Sequence, residues 1–216
     1  QDVLKIAPVA VYEKFGKDFV RECELHKEVA DESDHLVPIR DRFDAPVRFG
    51  GVELDCHVAV IEYVRGPSLS EWIGDSSRFN ARGVAQIAID LFLLLGELEA
   101  KGRFHNDLHG ENIRIRELGP TSRRADAVDE TIRAVAIDLG SVADASKSDP
   151  QLERLGDLHE VAAHLLRFSE RLLHDPDSVE DQEYRLAHAL DEIAHIIAPD
   201  PSKTRGPNLS LIHISE

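Results

Sequence analysis

The sequence predicts an α+β protein in which a small strand-rich part precedes a larger, mainly helical part. Short strands are predicted at 2–6, 35–39 and 58–61, all within the first third of the 216 residues. Long helices are predicted at 81–101, from 156 onward and at 182–198, where apolar residues recur at steps of three and four. The length suffices for one domain with a substantial core or for two small lobes.

Local signals between these elements complete the prediction. A charged helix is expected over 15–30, and a turn at Gly50-Gly51. A second pair of strands is expected at 112–116 and 134–140, joined by a polar connection over 117–131.

Composition excludes some partners and favours one compartment. The formal net charge of −16 makes nucleic acid an improbable partner, because binding to phosphates needs basic patches. The two cysteines, Cys23 and Cys56, have neither metal-binding nor disulfide spacing, which suits a reducing compartment. No apolar run reaches membrane-spanning length. We therefore expect a cytoplasmic protein with no membrane or nucleic-acid partner.

Two features suggest that the sequence is a piece of a longer gene. It contains no methionine, and its last eight residues, 209–216, look like a translated sequencing adapter. We expect this tail to be non-native, although an ordinary apolar C-terminal segment is the alternative.

The stretch from Phe104 to Ile113 carries the chemistry that we predict. Asp107 and Asn112, on one short loop, have the side chains that orient an attacking hydroxyl and hold Mg²⁺ in phosphoryl transfer. A second acid is expected on the partner strand, and Asp138 follows the apolar run that begins at Ala134. Each motif alone is more often structural, but their order on adjacent strands favours a phosphotransfer site.

These motifs identify a resemblance. The loop from His105 to Asn112 resembles the catalytic loop of the protein-kinase superfamily, and Asp138-Leu139-Gly140 resembles its metal-binding Asp-Phe-Gly motif. The resemblance implies a bilobal fold with a partial, β-rich N-lobe and hinge over 1–65 and a larger helical C-lobe over 66–208. In that pattern the first strands and the Gly-rich loop are missing.

The resemblance also implies roles for the phosphate and metal side of the site. Lys5 binds the phosphates of ATP, and Glu22 holds Lys5 by an ion pair, with Glu24 and Glu28 as competing candidates. Asp107 orients or deprotonates the acceptor hydroxyl. Asn112 and Asp138 bind Mg²⁺.

On the nucleotide side, the resemblance implies contacts with the adenine ring. The carbonyl of Glu62 and the amide of Val64 pair with the edge of the ring, Ile61 is the gatekeeper, and Val3 covers the ring. Arg114 stands where the family places an apolar residue under the ring.

Two further residues and one segment bear on which class of kinase-like protein the chain resembles. His109 replaces a lysine that contacts the transferred phosphoryl group, and is more similar to bacterial kinase-like proteins and small-molecule phosphotransferases. Asp157 is expected to cap the helix that starts there and, by resemblance, to hydrogen-bond the catalytic loop. The segment 200–205 resembles a region near the end of protein-kinase domains.

We therefore predict an ATP-dependent kinase that uses Mg²⁺ and transfers a phosphoryl group to a hydroxyl, most readily that of a protein serine or threonine. The alternatives are a small-molecule phosphotransferase of the aminoglycoside or choline kinase type, and a pseudokinase that binds nucleotide without turnover. The sequence does not fix the oligomeric state.

Overall fold

A three-stranded antiparallel sheet occupies the first part of the chain. The computed structural model describes residues 1–14, 19–118, 132–138, 143–144, 149–174 and 181–198. The sheet contains β1 (Asp2–Pro8), β2 (Ile39–Phe49) and β3 (Val52–Glu62), in the order β1-β3-β2. Val3 lies opposite Ile61 and Lys5 lies opposite Ala59, so these four side chains share one face of the sheet.

The hairpin between β2 and β3 confirms the predicted turn but corrects a predicted strand. Gly50 and Gly51 have φ values of 53° and 90°, which glycine adopts without steric cost. The strand predicted at 35–39 is wrong, because regular pairing begins only at Ile39. The backbone before it instead bonds to Ala136, whose N–H donates to the His35 carbonyl at 2.8 Å.

Six helices lie among the described residues. They are α1 (Val9–Lys14), α2 (Phe19–Ala30), α3 (Leu69–Gly74), α4 (Ala81–Ala100), α5 (Pro150–His174) and α6 (Asp181–Ile197). The helices predicted at 81–101 and 182–198 are confirmed. Of the helix predicted at 15–30, residues 19–30 are helical and 15–18 lie outside the described residues.

The start predicted for α5 is wrong by six residues. The helix begins at Pro150, a residue suited to the first helical position because that position needs no N–H donor. Asp149 accepts the backbone N–H of Gln151 at 3.0 Å, so it caps the helix. Asp157 is therefore inside α5 and does not cap it.

Short strands carry the candidate site. They are β4 (Arg103–Phe104), β5 (Ile113–Glu117), β6 (Ile132–Ala136) and β7 (Ala143–Asp144). β5 pairs antiparallel with β6, and β4 with β7. The strand predicted at 134–140 ends at Ala136, and Leu139 and Gly140 lie outside the described residues.

The main core surrounds α4, as its wide apolar stripe predicts. Leu91, Leu94 and Leu98 of α4 are almost fully buried, together with Ile113 of β5 and Phe168 of α5. The loop between β4 and β5 therefore rests on a packed helical layer, which holds its backbone rigidly.

The fold is α+β, with small antiparallel sheets and several helices. Within the described ranges, no helix combines the length and the apolar character needed to cross a bilayer. The predicted segments 200–205 and 209–216 and most of the connection 117–131 lie outside the described residues.

Candidate active site

Asp107 and Asn112 meet at the end of the loop that precedes β5. A single 3-10 turn, Gly110–Asn112, brings the two side chains together. The Asn112 amide nitrogen donates to the Asp107 carboxylate at 3.1 Å and to the Asp107 carbonyl at 3.0 Å. Since the amide nitrogen is used in this way, the amide oxygen of Asn112 is the atom that could bind a cation.

Lys5 and Asp138 are far apart in the sequence but in contact in the structure. The Lys5 ammonium donates to Asp138 Oδ1 at 2.9 Å, although the two residues are 133 positions apart. Burial alone would lower the pKa of Lys5, but the Asp138 carboxylate outweighs it, so the pKa lies above 10.5. Glu22 and Ile61 line the same cavity as this pair.

A backbone contact joins these two groups of residues. The Ile137 N–H donates to the Asn112 carbonyl at 3.0 Å, and Asp138 is the next residue. Asn112, just before β5, and Asp138, just after β6, therefore lie side by side at one end of this strand pair. No cluster of three or more His, Cys, Asp or Glu side chains able to hold a metal is found in the described part of the chain. Mg²⁺ needs fewer protein ligands than that when a nucleotide supplies phosphate oxygens.

Asp157 holds the backbone immediately before Asp107. Its two carboxylate oxygens accept the N–H groups of His105 at 2.8 Å and Asn106 at 2.7 Å. Asn106 has φ 61°, in the left-handed region that non-glycine residues adopt at a cost. The predicted bond from Asp157 to the loop is thus confirmed. Burial raises the pKa of Asp157 to about 6, although the two N–H donors oppose this.

His109 lies beside Asp107. Its Nδ1 accepts the backbone N–H of Glu111 at 3.3 Å, and its Nε2 lies 3.6 Å from Asp107 Oδ1. Glu160 was not predicted to belong to the site. Burial, followed by the nearby Asp107 carboxylate, raises the pKa of Glu160. Its spacing of one helical turn after Asp157 is the sequence signal that could have revealed it.

Three buried histidines lie in or near the loop, and no functional role was predicted for them. His105 is fully buried, and neither of its ring nitrogens has a hydrogen-bond partner among the described residues. His164 bonds to the Leu108 carbonyl at 2.7 Å, and His26 to the Val37 carbonyl at 2.5 Å. Burial lowers the pKa of His105 to about 3, and those of His26 and His164 to about 4.

Three of the four residues predicted to contact adenine lie at one end of the sheet, and Val64 lies just beyond the end of β3. Val3 and Ile61 are directly opposite each other. The Glu62 carboxylate accepts from Arg40 at 3.1 Å and from Arg116 at 2.8 Å. Val64 packs in a small cluster with Val37 and Val135.

The residues predicted to contact adenine share a cavity with Lys5 and Asp138 only in part. Of the predicted adenine contacts, Ile61 lines the cavity that holds Lys5, whereas Val3, Glu62 and Val64 do not. Arg114 is held at the side of the site, with its guanidinium 3.5 Å from the Glu71 carboxylate on α3.

Comparison with known proteins finds no match, either among models of protein families or among curated proteins. The chemistry assigned to this site therefore rests on its own geometry.

Proposed function

We propose that this chain is a phosphotransferase of the protein-kinase superfamily, with a bilobal fold, which transfers the γ-phosphoryl group of MgATP to a hydroxyl group. The observation that carries the proposal is the contact of Lys5 with Asp138, an ammonium and a carboxylate from distant parts of the chain that lie 2.9 Å apart. Phosphoryl transfer uses a lysine for the phosphates and a carboxylate for the metal ion, and the two groups have to converge on one site.

Each residue on the phosphate side of the site has a proposed role. Lys5 binds the phosphates, and Glu22, which lines the same cavity, holds the ammonium in position. The Asn112 amide oxygen and the Asp138 carboxylate hold Mg²⁺, whose charge neutralises the phosphate oxygens when it is bound. Ile61 and Val3 contact the base, and the backbone of Glu62 and Val64 bonds to its edge.

Asp107 orients the acceptor hydroxyl. The Asn112 amide nitrogen fixes one carboxylate oxygen of Asp107 at 3.1 Å, so the carboxylate has a defined direction. A carboxylate held in this way accepts the hydroxyl hydrogen as the oxygen approaches phosphorus. We propose the hydroxyl of a protein serine or threonine as the acceptor.

A small-molecule acceptor is the second candidate. His109 Nε2 lies 3.6 Å from Asp107 Oδ1, where an imidazole can contact a compact acceptor next to the base. A pseudokinase is less well supported, because Lys5, Asp107, Asn112 and Asp138 are all present. The free thiols of Cys23 and Cys56 support a cytoplasmic location.

The central test compares the protein with its Asp107→Asn variant. Asparagine keeps the shape of the side chain but removes the basic carboxylate, so we expect phosphotransfer to fall by ~10²–10⁴-fold. Transfer of the labelled γ-phosphoryl group from ATP to protein measures turnover, and mass spectrometry locates phosphoserine or phosphothreonine. Asp31→Asn, an exposed change elsewhere, is the matched control and should leave turnover unchanged. Equal rates in the protein and the Asp107→Asn variant would contradict the proposal.

The acceptor class needs a separate measurement. Phosphate on the protein itself or on a protein substrate supports the first candidate. Transfer to a panel of amino sugars and amino alcohols, without protein phosphorylation, supports the second.

A further inference from the structure

A second cavity lies behind the catalytic loop, between α4 and α5. Its volume is about 180 Å³, and its apolar wall is formed by Phe92, Leu95 and Phe104. It shares no lining residue with the cavity that holds Lys5 and Asp138. A dry apolar cavity of about 150 Å³ is large enough to bind benzene. The α4–α5 pocket can therefore hold a ligand of that size without competing for the nucleotide site.

Gly96 leaves one side of this pocket open. Glycine inside a helix costs roughly 0.5–1 kcal/mol relative to alanine, and close packing is the usual compensation. No such packing exists here, because a Cβ built on Gly96 meets no atom of the described residues within 4 Å. Any larger side chain at this position would project into open space at the edge of the pocket.

The carboxylate at the inner end of the pocket, that of Asp157, also bonds to the loop before Asp107. Asp157 lines the pocket and is almost fully buried. The same carboxylate accepts the N–H groups of His105 and Asn106. A ligand that contacts Asp157 therefore also contacts the group that holds the backbone next to Asp107.

Charge selects the class of ligand. Asp157 and Glu99 contribute two carboxylates to the pocket and Arg154 contributes one guanidinium, which lies 3.5 Å from Glu99 at the exposed rim. The local balance is negative, as is the net charge of −16 of the whole chain. A cationic head group is therefore attracted, and an anionic one is repelled.

We propose that the α4–α5 pocket binds a small arylalkylamine, that is, an aromatic ring joined to an ammonium group by a short alkyl link. The ring lies against Phe92, Leu95 and Phe104, and the ammonium is directed to Asp157. Benzylamine is the simplest probe of this class. Its binding does not depend on the phosphotransferase activity proposed above, so the two hypotheses can fail separately.

Titration calorimetry of the whole chain compares three ligands of similar size. Benzylamine should bind at least about tenfold more tightly than benzyl alcohol, because only its head group is charged, and benzoate should not bind. Equal affinity for benzylamine and benzyl alcohol, or no binding of benzylamine, would overturn the proposal.

Two pairs of variants test the location. Gly96→Leu places a bulky side chain at the edge of the pocket and should weaken binding, whereas Gly74→Leu, at another helical glycine with open space, should not. Glu99→Gln should weaken binding of the amine. Glu53→Gln makes the same charge change at an exposed position of β3 and should leave binding unchanged. Unchanged affinity in both Gly96→Leu and Glu99→Gln would show that benzylamine occupies some other site.

Hydrogen exchange tests the link to the catalytic loop. A bound ammonium group would hold the Asp157 carboxylate in place beside the loop, so the amides of His105 and Asn106 should exchange more slowly when benzylamine is bound. Unchanged exchange at both amides would rule out contact with Asp157, whether or not the protein transfers phosphate.

Discussion

Asp157 holds the backbone next to Asp107, whereas Asn112 holds the Asp107 side chain itself. The two oxygens of Asp157 hold the N–H groups of His105 and Asn106, and Asn106 has a backbone conformation that a non-glycine residue adopts at a cost. The raised pKa of about 6 shows that burial of this carboxylate is itself unfavourable. The loop is therefore kept in a strained shape by a group that is expensive to bury.

Asp157→Asn should loosen this loop while leaving the volume of the side chain at this position unchanged. An amide has only one oxygen, so one of the two N–H groups would face an NH₂ group and lose its acceptor. Leaving a buried donor unsatisfied costs about 1–3 kcal/mol, which makes local opening ~5–150-fold more frequent. We expect hydrogen exchange at His105 or Asn106 to accelerate by this factor, and phosphotransfer to fall.

Ala134 supplies an internal control in the same experiment. Its N–H donates to the buried Asp90 carboxylate at 2.8 Å, a bond of the same kind in another part of the core. Exchange at Ala134 should not change in the variant. Unaltered exchange at both His105 and Asn106 would show that Asp157 does not hold the loop.

At the scale of elements, the connection from β3 to α3 is fixed against β5. The Ile115 N–H donates to the Pro67 carbonyl at 2.9 Å, and Ser68 caps α3 through reciprocal bonds with Glu71. Gly66 has φ 133°, and a Cβ at this position would lie 1.9 Å from the Ile115 carbonyl oxygen. Only glycine allows this close approach of two backbones.

Gly66→Ala should therefore destabilise the protein strongly. The substitution combines an unfavourable φ with a clash against backbone, and each costs about 1–3 kcal/mol. Gly74→Ala is the matched control, because its Cβ meets no atom of the described residues within 4 Å and its φ is not positive. Urea unfolding should give a much lower midpoint for the first variant and an unchanged or higher one for the second. Equal midpoints would contradict the described approach to Ile115.

The elements show which parts of the fold were predictable from sequence. The helices at 81–101 and 182–198 were predictable because one buried face imposes a period of three to four residues. The strand expected at 35–39 was wrong because its backbone bonds to Ala136, a partner 100 positions away that no local pattern indicates. The start of α5 was missed because Pro150 and Asp149 were not recognised as a helix start.

The candidate site was predictable only as a set of residues. Spacing indicated Asp107, Asn112 and Asp138, but not the distance of 2.9 Å between Lys5 and Asp138, which depends on how the sheet packs. His164 was missed because a single histidine on a helix carries no motif, and Glu160 was missed because its helical spacing from Asp157 was not recognised. Their role comes from the loop that folds against α5.

For the whole molecule, buried histidines determine the response to acid. His26, His105 and His164 all have pKa values lowered by burial, to about 4, 3 and 4, below the usual 6.5. Each is neutral in the folded protein and takes up a proton on unfolding. Their contribution to stability is present above pH 6.5 and is lost as the pH falls toward 4.

The stability contributions of two other groups change with pH in the opposite direction. The pKa of Asp157 is raised to about 6, so this group adds stability as the pH falls from 6 toward 3.8 and partly offsets the histidines. Burial alone would lower the pKa of His35, but hydrogen bonds to Asp90 and Glu97 outweigh it and raise the pKa above 6.5. His35 therefore stabilises the fold fully below pH 6.5, and this contribution is lost as the pH rises through its raised pKa.

The free energy of unfolding should consequently fall steeply between pH 6 and pH 5, and His164 can be separated from the rest. His164→Gln removes one titrating group while the amide nitrogen of glutamine can still donate to the Leu108 carbonyl. Each such histidine contributes up to about 1.4 kcal/mol per pH unit, so the variant should show a slope shallower by that amount. Urea unfolding at a series of pH values measures it, and His188→Gln, which changes an exposed histidine, should keep the original slope. If both variants follow the parent protein, His164 is not held neutral in the fold, and the acid response has to come from other groups.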